Sequence, residues 1–230
     1  MSPVSPGTEV NPRHHGQAQL VVIQPPFTAS LPPIEPPSVA DHDPAAARAA
    51  VLALTTVAAV RHEDAPSRLN HPGSPGDREE LDYVYAAAWG STVKISDPAL
   101  LEDGVITSAL EDEFEVQKKL HPDARIVAVC ERDFGASYTK ILVAVPGVPD
   151  LTVEGWDELE FFGDLDATLA ALGAGSYDFS PDGYFDQHRF LHTLTDGALT
   201  VYGHEARFES VFLVDRSASG DDSICEVWFP

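Results

Sequence analysis

The chain has 230 residues, 43% of them hydrophobic, and carries 37 Asp and Glu against 14 Lys and Arg, a formal net charge of -23. Such a field repels nucleic acid and anionic membrane and attracts basic proteins, polyamines and cations. The imbalance grows along the chain, because residues 141–230 hold 17 acidic residues against three basic ones, Arg189, Arg207 and Arg216.

The length suits one large domain or two small ones. Apolar runs at 125–130 and 141–145 are dense enough to build a core, so the charge does not imply disorder. Residues 1–19 show no basic segment leading into an apolar one, the mark of a secretory leader. The most apolar stretch, 45–60, contains Arg48 and is too short to span a bilayer. The expectation is a soluble, cytoplasmic protein with neither a membrane nor a nucleic-acid partner.

Residues 1–44 hold ten prolines and read as an extended arm; residues 45–230 read as a single α+β domain with a linker-like stretch at 63–77. Within the arm, residues 19–23 form a β-type run that stops at Pro25-Pro26. Proline fixes φ and lacks a donor, which predicts an edge strand or an extended arm. A PxxP ligand is one reading. Val21, Val22, Ile23 and Phe27 call for burial, which favours an arm packed on its own domain.

Asp43-Pro44 predicts a helix start, with Asp43 as cap and Pro44 in the first turn, running to about Arg61. Residues 79–85 suit a helix or a strand, and Trp89-Gly90-Ser91 a turn before a strand at 92–95. Ser108-Ala-Leu-Glu111 has the form of a capping box, predicting a helix to about Leu120 with Leu110, Phe114, Val116 and Leu120 inward. Residues 123–131 and 137–145 predict a hairpin. Another strand is expected at 159–162, a helix at 164–172 ended by Gly173, and a helix from Ser180-Pro181 to about Leu194. Strands are expected at 199–202, 209–214 and 224–229. Mixed elements with several hairpin signals predict an α+β fold, a largely antiparallel sheet with covering helices.

Cys130 and Cys225 each sit in an apolar run without a CxxC neighbour. They read as two buried thiols, with a disulfide between adjacent strands as the alternative.

Asp178, Ser180, Asp182 and Asp186 fall at positions 1, 3, 5 and 9 of a calcium loop, with Gly183 at position 6. Against this, Arg189 stands where the bidentate Glu belongs, and Ser180-Pro181 with nearby acids also suits a capped helix start. His188 and His192, four apart on that helix with Asp186 near, suit zinc or another divalent metal, although the HExxH pattern is absent. Asp133-Phe134-Gly135 matches the magnesium triplet of protein kinases, but no companion kinase motif precedes it, so a turn with a left-handed glycine is expected. There is no G-x-S-x-G nucleophile motif.

Two acidic clusters remain, Glu111, Asp112, Glu113 and Glu115 on one helix, and Asp157, Glu158, Glu160, Asp164 and Asp166 near a strand. Trp156, Phe161 and Phe162 interleave with the second. Aromatics among acids are a plausible interaction surface for a cationic partner. Glu111, Asp112, Glu115, Trp156, Asp157, Glu158 and Glu160 are the partner-binding candidates.

Gln24-Pro-Pro-Phe27, Asp43-Pro-Ala-Ala-Ala-Arg48, Gly155-Trp156 and Glu160-Phe-Phe-Gly-Asp164 with Leu169-Ala-Ala-Leu-Gly173 resemble a group of small acidic actinobacterial proteins of unknown function. The resemblance spans most of the chain and implies no activity. The expected function is a non-catalytic acidic protein that presents a negative surface to a basic protein, a toxin-neutralising immunity protein being one form. The alternative is a metal-dependent enzyme or calcium-stabilised domain centred on residues 178–192.

Overall fold

The computed structural model describes residues 4–5, 7–11, 15–27, 41–68, 75–102, 104–105, 108–133, 135–156, 158–172 and 208–229. Among these, ten strands form one antiparallel sheet: β1 (His15–Ile23), β2 (Val57–Glu63), β3 (Ser67–Arg68), β4 (Tyr83–Trp89), β5 (Thr92–Ser96), β6 (Arg125–Asp133), β7 (Ser137–Ala144), β8 (Leu151–Gly155), β9 (Leu159–Phe162) and β10 (Phe208–Arg216). The order is β2-β10-β4-β5-β1-β6-β7-β8-β9, with β3 also pairing β10. Helices α1 (Pro44–Leu52), α2 (Ala109–Leu120), α3 (Leu165–Leu172) and α4 (Ala218–Trp228) cover it. The expected α+β architecture is the one observed.

Strand β1 corrects the edge-strand expectation. It lies at the middle of the sheet, paired along its length with β6 and at its C-terminal half with β5. Pro25 and Pro26 fall beyond its last residue, so no ladder donor is lost. Leu20, Val21, Val22 and Ile23 are all buried, the pattern of a strand covered on both faces.

Alternation along β1, β6 and β7 divides the core into two layers. Ala18, Leu20, Ile126, Ala128 and Leu142 face α1, α2 and α4. Val21, Val127, Ile141, Leu151 and Val153 face α3 through Leu169 and Leu172. Each fully buried aliphatic side chain contributes roughly 1.5–3 kcal/mol, so both layers matter to stability.

Asp43 caps α1 as expected, its Oδ1 accepting the N–H groups of Ala45 and Ala46 at 3.0 Å. The helix ends at Leu52 rather than near Arg61, and Val57 begins β2. The β-branched run Thr55-Thr56-Val57 favours extended backbone, and β2 supplies the ladder that β10 needs on that side. Ala86 and Ala88 of β4 join Ala47 and Val51 of α1 in the core, where small side chains let helix and sheet approach closely.

Helix α2 spans the predicted residues but buries Leu110, Glu113, Phe114 and Gln117. Val116 is half-buried and Leu120 exposed, so the predicted inward face is rotated. Glu113 accepts the N–H of Thr55 at 2.8 Å, its hydroxyl at 2.5 Å and Gln117 Nε2 at 2.7 Å. Donors from the α1–β2 turn make this polar face favourable inside.

Where a C-terminal strand is expected at 224–229, residues 224–228 instead form the second half of α4. Ser217 Oγ accepts the Gly220 N–H at 3.1 Å and starts the helix. Gly220, Ser223, Ile224, Val227 and Trp228 are buried at helical spacing. Gly220 is required by close approach, since a Cβ there would lie 2.3 Å from the Thr56 carbonyl oxygen.

Strand β6 also anchors helices at both ends. Arg125 Nη2 donates to the Ala171 carbonyl of α3 at 2.9 Å, and Arg132 Nη2 to the Val227 carbonyl of α4 at 2.7 Å. Cations are favoured at helix C-termini, where carbonyls lack intrahelical partners.

Candidate functional site

The register of β6 to β9 builds three rows on the face that carries α2. Residues directly opposite in an antiparallel sheet share a face. Ala128, Leu142, Thr152 and Phe162 make one row, and Cys130, Lys140, Glu154 and Glu160 the next. In the third, Tyr138 lies opposite Arg132 and packs on Trp156 with ring centroids 5.2 Å apart. An acidic strip therefore runs out to the sheet edge between an aromatic pair on one side and Phe162 on the other.

Lys140 is the pivot of this strip. Its side chain is 7% exposed, and Nζ lies 2.7 Å from Glu111 Oε2, 3.1 Å from Glu102 Oε2 and 3.8 Å from Glu154 Oε2. Glu102 is fully buried, and its Oε1 accepts the Glu111 N–H at 3.0 Å. This carboxylate, nine residues before Glu111, thus caps α2. Ser108, the expected cap, bonds Asp112 instead at 3.0 Å, and makes no cap hydrogen bond. Gly104, at φ +73, lets the segment pass the Tyr138 ring, which lies 2.5 Å from where a Cβ would stand.

Burial opposes the Lys140 charge, but the hydrogen bond to Glu111 and the charge of Glu102 outweigh it and hold the ammonium above its ordinary value. Burial pushes the Glu102 carboxyl above its usual range, against the pull of Lys140 and the α2 N–H groups.

Beyond Glu154, compensation falls away. Glu154 lies opposite Glu160 across β8 and β9, a like-charge pair that costs stability. Neither Glu158 nor Glu160 has a cationic partner among the described residues. Phe162 is 50% exposed beside them, while Phe161 points to the α3 face opposite Val153. On α2, Lys118 bridges Glu115 and Asp150, and its ammonium is held above its ordinary value because those hydrogen bonds outweigh burial.

Of the partner-binding candidates, Glu111, Trp156 and Glu160 meet around this strip. Glu158 lies in the adjoining β8–β9 turn, Asp112 and Glu115 lie along α2, and Asp157 falls outside the described residues. Sequence reasoning missed Glu102, Lys140 and Glu154. Lys140 carried a signal, as the single cation within an apolar strand. The metal candidates Asp178, Ser180, Asp182, Asp186, His188 and His192 also fall outside the described residues. Among the described residues, no group of three or more His, Cys, Asp or Glu is arranged to hold a metal.

Two other constellations carry nucleophile types. Cys130 and Cys225 are both buried and free rather than joined. Burial pushes the Cys130 thiol up to about 12, which removes thiolate reactivity near neutrality. His42 Nε2 lies 3.0 Å from Ser210 Oγ, which lies 3.4 Å from Glu63 Oε1. The other ring nitrogen accepts the Ala88 N–H at 3.3 Å, so Nε2 carries the proton and donates to the serine. A general base must do the reverse. Burial lowers the His42 pKa, and Ser210 is fully buried. In the Asp133–Gly135 segment, Gly135 stands at φ +100 with its N–H bonded to Asp133 Oδ1 at 3.0 Å, while Phe134 falls outside the described residues.

No helix among the described residues is long and apolar enough to cross a membrane. No curated protein and no solved structure matches the chain. A family model described as a family of unknown function, DUF6333, matches residues 2–230, and the chain belongs to that family.

Proposed function

We propose that this chain is a non-catalytic binding protein that presents a carboxylate-rich surface to a basic protein partner. The observation that carries the reading is where the cations lie. Lys140, Arg132 and Arg216 are buried, and Arg61, Arg78 and Lys118 are ion-paired, so among the described residues the scarce positive charge leaves Glu158 and Glu160 without a cationic partner. The donor direction at Ser210 and the high Cys130 pKa support a role without covalent chemistry. A neutraliser of the immunity-protein type is one form, since charge complementarity speeds association and sets specificity. A cytoplasmic, actinobacterial setting belongs to the same reading.

The test is salt. A partner captured on the immobilised chain is identified, and its association rate is then measured at low and high ionic strength. We expect a fall of about tenfold or more, as for steered association. A rate indifferent to salt removes the reading.

A further inference from the structure

We propose that His42 is an acid-operated latch: with a neutral imidazole it fastens residues 41–46 to the end of β4, and on protonation it releases them while the sheet stays paired. This is a property of the fold and stands apart from the binding reading above.

The latch sits where β4 runs out of partners on one side. Strand β10 pairs β4 only as far as Ala86. Beyond that point His42 forms an isolated antiparallel bridge to Trp89, and the Asp43 N–H donates to the Ala88 carbonyl at 2.9 Å. Ala88 is 2% exposed, and its own N–H finds an acceptor in His42 Nδ1 at 3.3 Å. A side chain thus satisfies a buried backbone donor that no strand reaches. Nε2 turns the other way and donates to the buried Ser210 Oγ at 3.0 Å.

This arrangement accepts one charge state. A neutral imidazole has one donor and one acceptor, and both are used here; an imidazolium has two donors. The added proton enters at Nδ1, the atom that accepts from Ala88, and sets two N–H groups against each other. The Nε2 bond to Ser210 survives protonation, so the Ala88 side is the one that opens. Asp43, the next residue, holds the first turn of α1 through the N–H groups of Ala45 and Ala46, and moves with the junction. Ala47 and Val51 are fully buried, so the rest of α1 keeps its own anchorage. Opening leaves the N–H and carbonyl of Ala88 as a free sheet edge.

Few charged groups surround the ring. Asp41 and Asp43 flank it in the chain, Glu63 of β2 lies beyond Ser210, and Arg48 of α1 lies 3.8 Å from Glu63. Tyr85 on β4 and Glu209 on β10 alternate to the opposite face. Burial disfavours the charged ring more strongly than Asp43 and Glu63 favour it, so the closed segment takes its proton below the ordinary 6.5. The open segment protonates first, and a fall in pH favours it.

The test is native-state hydrogen exchange on the full isotope-labelled chain, with each rate corrected for the intrinsic pH dependence of exchange. Protection at Asp43, Ala45, Ala46 and Ala88 should lie below that at Val127 in the central strand β6. It should not respond to low urea, the behaviour of a local opening. Between about pH 7.5 and 5.5 it should fall roughly tenfold, the limit for a group that titrates near 6.5 only when open. His42→Gln keeps a donor and an acceptor without a titrating proton, and the pH dependence at these four amides should vanish. Should that variant lose the junction outright, the wild-type profile still decides. Protection that does not change with pH in the wild-type chain overturns the inference. So does a fall that persists in folded His42→Gln. Exchange at the four amides that matches Val127 in level and urea response also overturns it, because the segment then opens only with the whole fold.

Discussion

Replacing Lys140 by Met isolates the energetics of the buried cluster. The substitution keeps the volume and removes the ammonium. Glu102, fully buried and 3.1 Å away, then loses its nearest cation while still capping α2. Breaking a buried pair by deleting one partner costs about 3–5 kcal/mol, because the remaining charge stays desolvated. Glu111 and Glu154 are 54% and 39% exposed and return to water, so each adds only about 0–1 kcal/mol. The buried term therefore decides the outcome, against a total stability of about 5–15 kcal/mol for a typical domain. The assay is urea unfolding followed by tryptophan fluorescence. The midpoint should fall with little change in slope.

The pH dependence adds a second readout. Burial already holds the Glu102 carboxyl above the ordinary carboxyl value of 4.5, and losing Lys140 raises it further. Between 4.5 and the raised value, the folded variant binds more protons than the unfolded chain, so its stability falls as pH rises. The deficit should be small near pH 4.5 and largest above the window. Glu102→Gln in the Lys140→Met background should recover about 2 kcal/mol or more, since the stranded charge is gone. A loss under about 1 kcal/mol at neutral pH, with no coupling between the two sites, would refute the reasoning.

Arg216 and Asp97 form a second buried pair, Nη1 to Oδ1 at 2.7 Å, with Thr56 and the Ala99 N–H completing the carboxylate. Arg216→Met should cost about 3–5 kcal/mol in the same assay, and a neutral result would show that the pair is not desolvated. Burial disfavours the charged form of His42, so its folded pKa lies below the ordinary imidazole value of 6.5. The unfolded chain protonates first, and stability should rise with pH through the window just below 6.5. His42→Gln should flatten that part of the curve, and an unchanged slope would exclude His42 as its source. For residues 178–192, calcium or zinc added to chelator-treated protein should raise the thermal midpoint if the metal alternative holds. A ligand at about 100 Kd adds roughly 2.7 kcal/mol, and no rise with either ion removes that alternative.

Local signals proved legible where one residue's chemistry acts within a few positions. Asp43-Pro44, the 125–145 hairpin and the Asp164 start of α3 all lie where capping and alternation place them. The misreadings occur where a partner distant in sequence decides. Residues 224–229 alternate well enough for a strand, but a carbonyl at Thr56 and a glycine at 220 seat a helix there. The Ser108 box is a sound local cap displaced by Glu102, whose docking depends on Lys140.

Composition by itself determined that this chain carries a strong negative field and enough apolar residues to bury a sheet on both faces. Only the tertiary structure decided that β1 lies at the centre, and that Glu111, Glu154 and Glu160 share one strip with Lys140. The physical reason is register. Side chains alternate faces at every residue, so which acids become neighbours depends on pairings between strands that a local pattern does not encode.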